Sequence, residues 1–150
     1  MICCYLTFNG NCREAMVFYQ RCFGGELVIQ TVRESPLSEK MPAKIKDFVL
    51  QATLTNGDLL LMGSDMTPET GLIRGNAVSL MLNAGNEKEL TRWFKKLSAG
   101  GQVTYPLNEN YWGAIFGGLT DRFGNHWLLN YSQKNNIAKN GQRIAGQEPH

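Results

Sequence analysis

Reactive side chains are few in this 150-residue chain, and their spacing limits the chemistry open to it. The four cysteines, Cys3, Cys4, Cys12 and Cys22, all fall in the first 22 residues, and none belongs to a C-x-x-C pair. Adjacent Cys3 and Cys4 would point to opposite faces of a strand, which suits free thiols in a reducing compartment rather than a disulfide framework. The only histidines are His126 and His150. A serine or cysteine nucleophile needs a base and an orienting acid; there is no G-x-S-x-G elbow, and His126 is the one base the patterned part of the chain offers. Asp58, Asp65 and Asp121 sit at expected turns or strand ends, so no carboxylate pair is brought together. Asp121, in TDRFGNHW, reads as a turn residue whose side chain caps local backbone amides. The catalytic residues are therefore unknown at this level.

The bulk properties exclude several classes. A formal net charge of +2 with scattered Lys and Arg gives no basic stripe for nucleic acid. No apolar run approaches the roughly 18 residues of a membrane helix. The N-terminus lacks the basic and apolar regions of a secretory signal, so the expected location is cytoplasmic.

The elements that must position these side chains follow from periodicity. Residues 2–8 alternate as a half-buried strand, with Leu6 and Phe8 on one side and Tyr5 and Thr7 on the other. Asn11 is a candidate N-cap, with Glu14 completing a capping box. Ala15, Phe18, Tyr19 and Cys22 then form a helical stripe that Gly24-Gly25 stops. Residues 26–33 read as a strand, 35–46 as a loop, and 48–55 with 58–64 as a hairpin around Asn56-Gly57. After a linker over 65–75 the order repeats. A strand spans 76–83, Asn86 caps a helix to about Ala99 with a Leu90, Trp93, Phe94, Leu97 stripe, and Gly100-Gly101 stops it. Strands follow at about 102–107, 111–120 and 126–131. This is a βαβββ unit used twice, an α+β chain with modules at 1–66 and 67–131 in one structural domain, followed by a polar tail over 132–150.

The segments YLTFNGNCREAMVFYQRCFGGE, QATLTNGDLLLMGSD and FGGLTDRFGNHWLLN resemble a PhnB-like protein of the vicinal-oxygen-chelate (glyoxalase/bleomycin-resistance/dioxygenase) superfamily. The resemblance spans about residues 2–131 and implies a cupped, mostly antiparallel mixed sheet with helices on its outer face. It also implies a homodimer and a small-molecule cavity. Some members are labelled demethylubiquinone methyltransferases, but no glycine-rich cofactor loop of a doubly wound sheet is present here.

In that fold one face of each strand packs on helices and the other lines the cup. Alternation assigns Leu6, Phe8, Val78, Leu80, Leu82, Trp127 and Leu129 to the helices. The ligand-cavity candidates are then Tyr5, Thr7, Gln51, Thr53, Met62, Ser64, Ser79, Met81, Trp112, Phe116 and His126, with Cys3 and Leu128 beside them. Metal-dependent members place His, Gln or Glu on the strands that open and close each module. The corresponding positions here are Cys3 or Cys4, Ala77, Leu128, and Leu60 or Met62. An Ala methyl and a Leu side chain ligate nothing, so the expectation is no metal and no cofactor. The aromatic and thioether walls suit a flat or apolar organic molecule, although the same side chains could simply fill the cup. Two functions result: a protein that sequesters or carries a small organic molecule without metal, or a metal-dependent lyase, isomerase or dioxygenase with displaced ligands.

Overall fold

Glycine punctuation decides where both helices end. In the computed structural model, which describes residues 1–110 and 113–132, Gly24 and Gly100 take φ of 73° and 76°, the left-handed region in which a side chain is penalised. The elements are β1 (Cys4–Thr7), α1 (Cys12–Phe23), β2 (Glu26–Thr31), β3 (Val49–Asn56), β4 (Leu59–Ser64), β5 (Leu80–Asn83), α2 (Glu87–Ser98), β6 (Gln102–Glu109), β7 (Ala114–Thr120) and β8 (His126–Ser132). Two single 3-10 turns, Ser38–Lys40 and Ala43–Ile45, interrupt the loop before β3. The chain divides into two compact units between Gly75 and Asn76.

Each unit is one four-stranded mixed sheet with one helix on one face. The first has strand order β1-β4-β3-β2 and the second β5-β8-β7-β6. The pairs β1–β4 and β5–β8 are parallel and all others antiparallel. Neither sheet closes on itself, so this is an α+β fold of two βαβββ modules. Among the described residues no helix is long and apolar enough to cross a membrane.

The core of the first unit lies between α1 and its sheet. Phe8, Cys12, Ala15, Met16 and Tyr19 are fully buried with Ala52, Leu54 and Leu61. Gly63 makes this approach possible, since a Cβ there would meet the sulfurs of Cys12 and Met16 at 3.1 Å. In the second unit Leu90 and Leu97 of α2 are buried with Leu119, Trp127 and Leu129. Gly117 has the role of Gly63, because a Cβ there would fall 2.9 Å from the Phe94 ring. Burying one such Leu or Phe contributes about 1.5–3 kcal/mol.

Two expectations are corrected. The strand expected from Asn76 begins only at Leu80, and Val78 is 75% exposed rather than packed on a helix. The cause is the partner: β8 starts at His126 and its pairing with β5 begins at Leu80↔Trp127, so residues 76–78, Val78 included, have no strand beside them to join. The Asn11–Glu14 capping box is also absent, since Asn11 makes no side-chain cap bond. Buried Asp65 replaces it: Oδ1 accepts from the backbone N–H of Gly10 (2.8 Å) and Cys12 (2.9 Å), while Oδ2 accepts from Val49 N–H (2.9 Å). In α2 the expected cap forms, with Glu89 N–H donating to Asn86 Oδ1 at 2.8 Å and Gly85 N–H to Glu89 Oε2 at 2.9 Å.

Candidate functional site

Because strand side chains alternate, a sheet with a helix on one face leaves the other to be explained. On the first sheet the register aligns Tyr5, Met62, Thr53 and Val28 in one row across β1, β4, β3 and β2, on the face opposite α1. Thr7 and Ser64 pair in the next row, and Gln51 pairs with Gln30. Tyr5 and Val28 are 52% and 58% exposed, and the Cys3 thiol lies 4.0 Å from the Met62 sulfur. Ser64 does not present its hydroxyl to this face as a free group. It donates to Leu50 C=O at 2.8 Å and accepts from Met66 N–H at 3.0 Å, which fixes the turn after β4.

On the second sheet the helix-free face carries Met81, Leu128 and Gly118 in one row, since Met81 pairs with Leu128 and Leu128 with Gly118. One row away Asn83, Asn130 and Phe116 align, and Asn130 Nδ2 donates to Asn83 Oδ1 at 3.3 Å. In the opposite direction His126 pairs with Thr120, and Nδ1 of the ring lies 2.9 Å from the Thr120 hydroxyl. Ser79 is exposed in the segment before β5, and Trp112 lies outside the described residues, as does the tail after Ser132. The sequence-assigned candidates among the described residues therefore fall into two groups on the helix-free faces of separate sheets, with Ser79 outside both.

Periodicity alone misses two residues of the second face. The β6–β7 register runs Val103↔Leu119 and then Tyr105↔Gly118, so a bulge sets Thr104 and Tyr105 together opposite one glycine. The clue in the sequence is the Gly117-Gly118 doublet inside a strand, which periodicity cannot interpret.

Supporting groups hold these faces in place. Asp121 accepts from Phe123 and Asn125 N–H at 2.9 and 3.0 Å through Oδ1, and from the Trp127 indole at 2.8 Å through Oδ2. It thus caps the turn as the sequence implies and also fixes a core indole. Burial raises the Cys4 thiol pKa above its ordinary value, with neighbouring Cys3 adding to the effect. Burial, followed by the Asp65 carboxylate, pushes Cys12 up to about 12. Both act as inert, protonated packing groups at neutral pH.

A divalent ion needs three or four N or O donors converging with one open position. Leu128 and Leu60 are hydrocarbon, Ala77 precedes β5 outside the ladder, and Cys4 pairs with core residue Leu61. Among the described residues no three His, Cys, Asp or Glu side chains come together. Those positions do not supply the N or O donors that such an ion needs.

Residues 1–130 match the family model described as 3-demethylubiquinone-9 3-methyltransferase. The chain belongs to this family. Protein PA1353 from Pseudomonas aeruginosa is 39% identical with a TM-score of 0.78, over 88% of this chain and 97% of that one. A putative 3-demethylubiquinone-9 3-methyltransferase, PhnB protein, from Bacillus cereus is 30% identical with a TM-score of 0.71, over 87% and 98% of the two chains. At 13% identity, a glyoxalase/bleomycin resistance protein/dioxygenase family enzyme from Burkholderia phytofirmans PsJN shares the fold, with a TM-score of 0.57 over 85% and 95%. This is a PhnB-like member of the vicinal-oxygen-chelate superfamily.

Proposed function

We propose that this PhnB-like chain is a cytoplasmic small-molecule-binding protein that sequesters or carries a flat, apolar or aromatic organic molecule without a metal ion. One observation carries the reading: large apolar side chains stand uncovered on the helix-free faces, with Tyr5, Val28, Met81 and Tyr105 between 52% and 62% exposed. Uncovered aromatic and thioether groups gain free energy when an apolar surface is laid on them, and adjacent amides and hydroxyls orient it. Methyl transfer, named in the family description, draws no support from the fold. The β1–α1 loop, Phe8–Asn11, holds one glycine and joins a mixed sheet rather than a doubly wound one. The functional unit in this reading is a homodimer, and a monomer by light scattering at micromolar concentration would count against that part.

The test is a thermal-shift screen of aromatic metabolites and antibiotics on protein purified without chelator, with metal analysis of the same sample. A true ligand at 100 times its Kd stabilises the fold by about 2.7 kcal/mol. Stoichiometric Zn, Ni, Mn or Fe would overturn the reading in favour of a metal-dependent lyase, isomerase or dioxygenase. So would a folded protein that no arene stabilises.

A further inference from the structure

Between Asn76 and Ser132 the Lys and Arg residues are Lys88, Arg92, Lys95, Lys96 and Arg122. Four of them lie on α2, and the fifth is bonded to its end through Ala99 C=O at 3.0 Å. Cations that look scattered along the chain are gathered by helical winding. At about 100° per residue, Lys88, Arg92 and Lys95 fall within about 60° of one another, and Glu87 lies about 80° outside that arc. All three are exposed, and among the described residues none of them forms an ion pair. A shallow cleft of about 680 Å³ runs over this face, lined among the described residues by Glu87, Lys88, Thr91, Arg92 and Lys95. Helix α1 has no such stripe: its charged residues are Arg13, Glu14 and Arg21, with the two cations more than two turns apart.

Helix stability explains only part of this pattern. Glu87 and Glu89 in the first turn, and Lys95 and Lys96 in the last, suit the macrodipole. Lys88 has the wrong sign for a first turn. Lys88 and Arg92, and Arg92 and Lys96, are like charges four residues apart, which destabilise a helix. The acids of the same stretch are engaged elsewhere: Glu89 accepts from Gly85 N–H, Asp121 is buried in its turn, and Glu109 ends β6. Thr91 donates its hydroxyl to Glu87 C=O at 3.0 Å, which leaves a small neutral gap among the three cations. An anion laid in that gap turns their mutual repulsion into attraction for a shared partner.

The makeup of the face selects the anion. The exposed residues of α2 are Glu87, Lys88, Thr91, Arg92, Lys95 and Lys96, none of them apolar or aromatic. A bilayer surface needs apolar groups to insert, and an unpaired base needs a ring to stack on. From Lys88 to Lys96 is only about 12 Å at 1.5 Å per residue, whereas a stable protein interface uses roughly 20–30 residues a side. A compact ligand with several charges in a short span fits, and linked phosphates supply that. Arg92 can hold phosphate oxygens in bidentate fashion, with the lysines as point charges. We propose that the outer face of α2 binds a small compound carrying linked phosphates, held by Lys88, Arg92 and Lys95. This site is separate from the helix-free faces assigned above to an apolar molecule.

The test is a titration of the isotopically labelled full chain with inorganic tripolyphosphate, orthophosphate and polyglutamate at one fixed low ionic strength, followed by amide NMR shifts. Tripolyphosphate should give saturable shifts at the Lys88, Thr91, Arg92 and Lys95 amides, with binding at least about tenfold tighter than orthophosphate and weakening as salt is raised. The double variant Lys88→Gln, Arg92→Gln should lose about tenfold or more in affinity while its circular dichroism stays unchanged, since both side chains are exposed. Lys40→Gln with Lys44→Gln, exposed lysines of the first unit, should bind as the parent does. Parent-like affinity in the α2 double variant, or shifts centred on Lys40 and Lys44, would overturn the site. Orthophosphate binding as tightly as tripolyphosphate would show counter-ion condensation only and overturn the ligand class. Polyglutamate binding as tightly would overturn that class in favour of an acidic protein segment. A folded chain with no saturable shift for tripolyphosphate would overturn the proposal outright.

Discussion

Replacing Asp65 by Asn should destabilise the first unit far more than its place after a strand suggests. The carboxylate is 2% exposed and accepts three backbone N–H bonds, from Gly10 and Cys12 at one oxygen and from Val49 at the other. An amide oxygen can keep the Gly10 and Cys12 pair, but its NH2 then confronts the Val49 N–H. One charge-assisted bond is lost, worth about 1.5–3 kcal/mol, and a buried donor is left facing another donor, at about 1–3 kcal/mol. With partial relaxation the expected loss is about 3 kcal/mol, or roughly 6–12 °C in Tm at about 2–4 °C per kcal/mol for a chain of this size. Urea unfolding followed by circular dichroism measures it, with hydrogen exchange at the Cys12 and Val49 amides as the local readout. Asp47→Asn is the control, because that exposed carboxylate makes a 3.1 Å surface pair with Arg33 and should cost under about 1 kcal/mol. A loss below about 1 kcal/mol for Asp65→Asn, with both amides still protected, would refute the clamp.

Two further outcomes follow from the same geometry. Asn86→Ala should cost about 1 kcal/mol by removing the bond from Glu89 N–H, whereas Asn11→Ala, which removes no cap bond, should stay within about 0.5 kcal/mol; urea midpoints separate them. Cys12 ionises near 12 in the fold and near 9.0 when unfolded, so the unfolded state releases its proton first. The stability from keeping this thiol protonated is therefore complete below about pH 9 and lost as pH rises toward 12. Urea titrations at several pH values should show that loss in the native chain and a flatter profile in Cys12→Ala.

The element order was legible in the sequence because its signals are local. Gly24-Gly25 and Gly100-Gly101 stop helices by their own backbone freedom, and Asn56-Gly57 closes a hairpin between adjacent strands with Gly57 at φ 57°. Alternation also assigned Leu6, Leu82, Trp127 and Leu129 to the helix side, since those strands keep a regular register. What stayed hidden depends on distant partners. Asp65 takes over the start of α1 from residues more than 50 positions earlier, so a local motif at Asn11 could not reveal that its cap was displaced. Val78 has the right parity for burial, but β8 does not extend far enough to pair its segment. Thr104 and Tyr105 were lost to alternation because a bulge abolishes it where they sit.

The two modules share a frame whose bonds end on backbone, and this explains how their faces can differ. Asn56 Nδ2 donates to Phe23 C=O at 2.7 Å at the end of α1, and Arg122 Nε donates to Ala99 C=O at 3.0 Å at the end of α2. Different side chains from corresponding hairpins thus satisfy the same orphan carbonyls. Gly25 and Gly101 likewise each lie against hairpin backbone, where a Cβ would collide with the carbonyl oxygens of Thr55 and Thr120. A frame fixed through main-chain groups places few demands on side chains of the helix-free face. Substitution there costs the framework little. Ancestry preserved in the frame therefore says little about chemistry on the face, which is why the methyltransferase or metal-enzyme reading must stand on the residues found there.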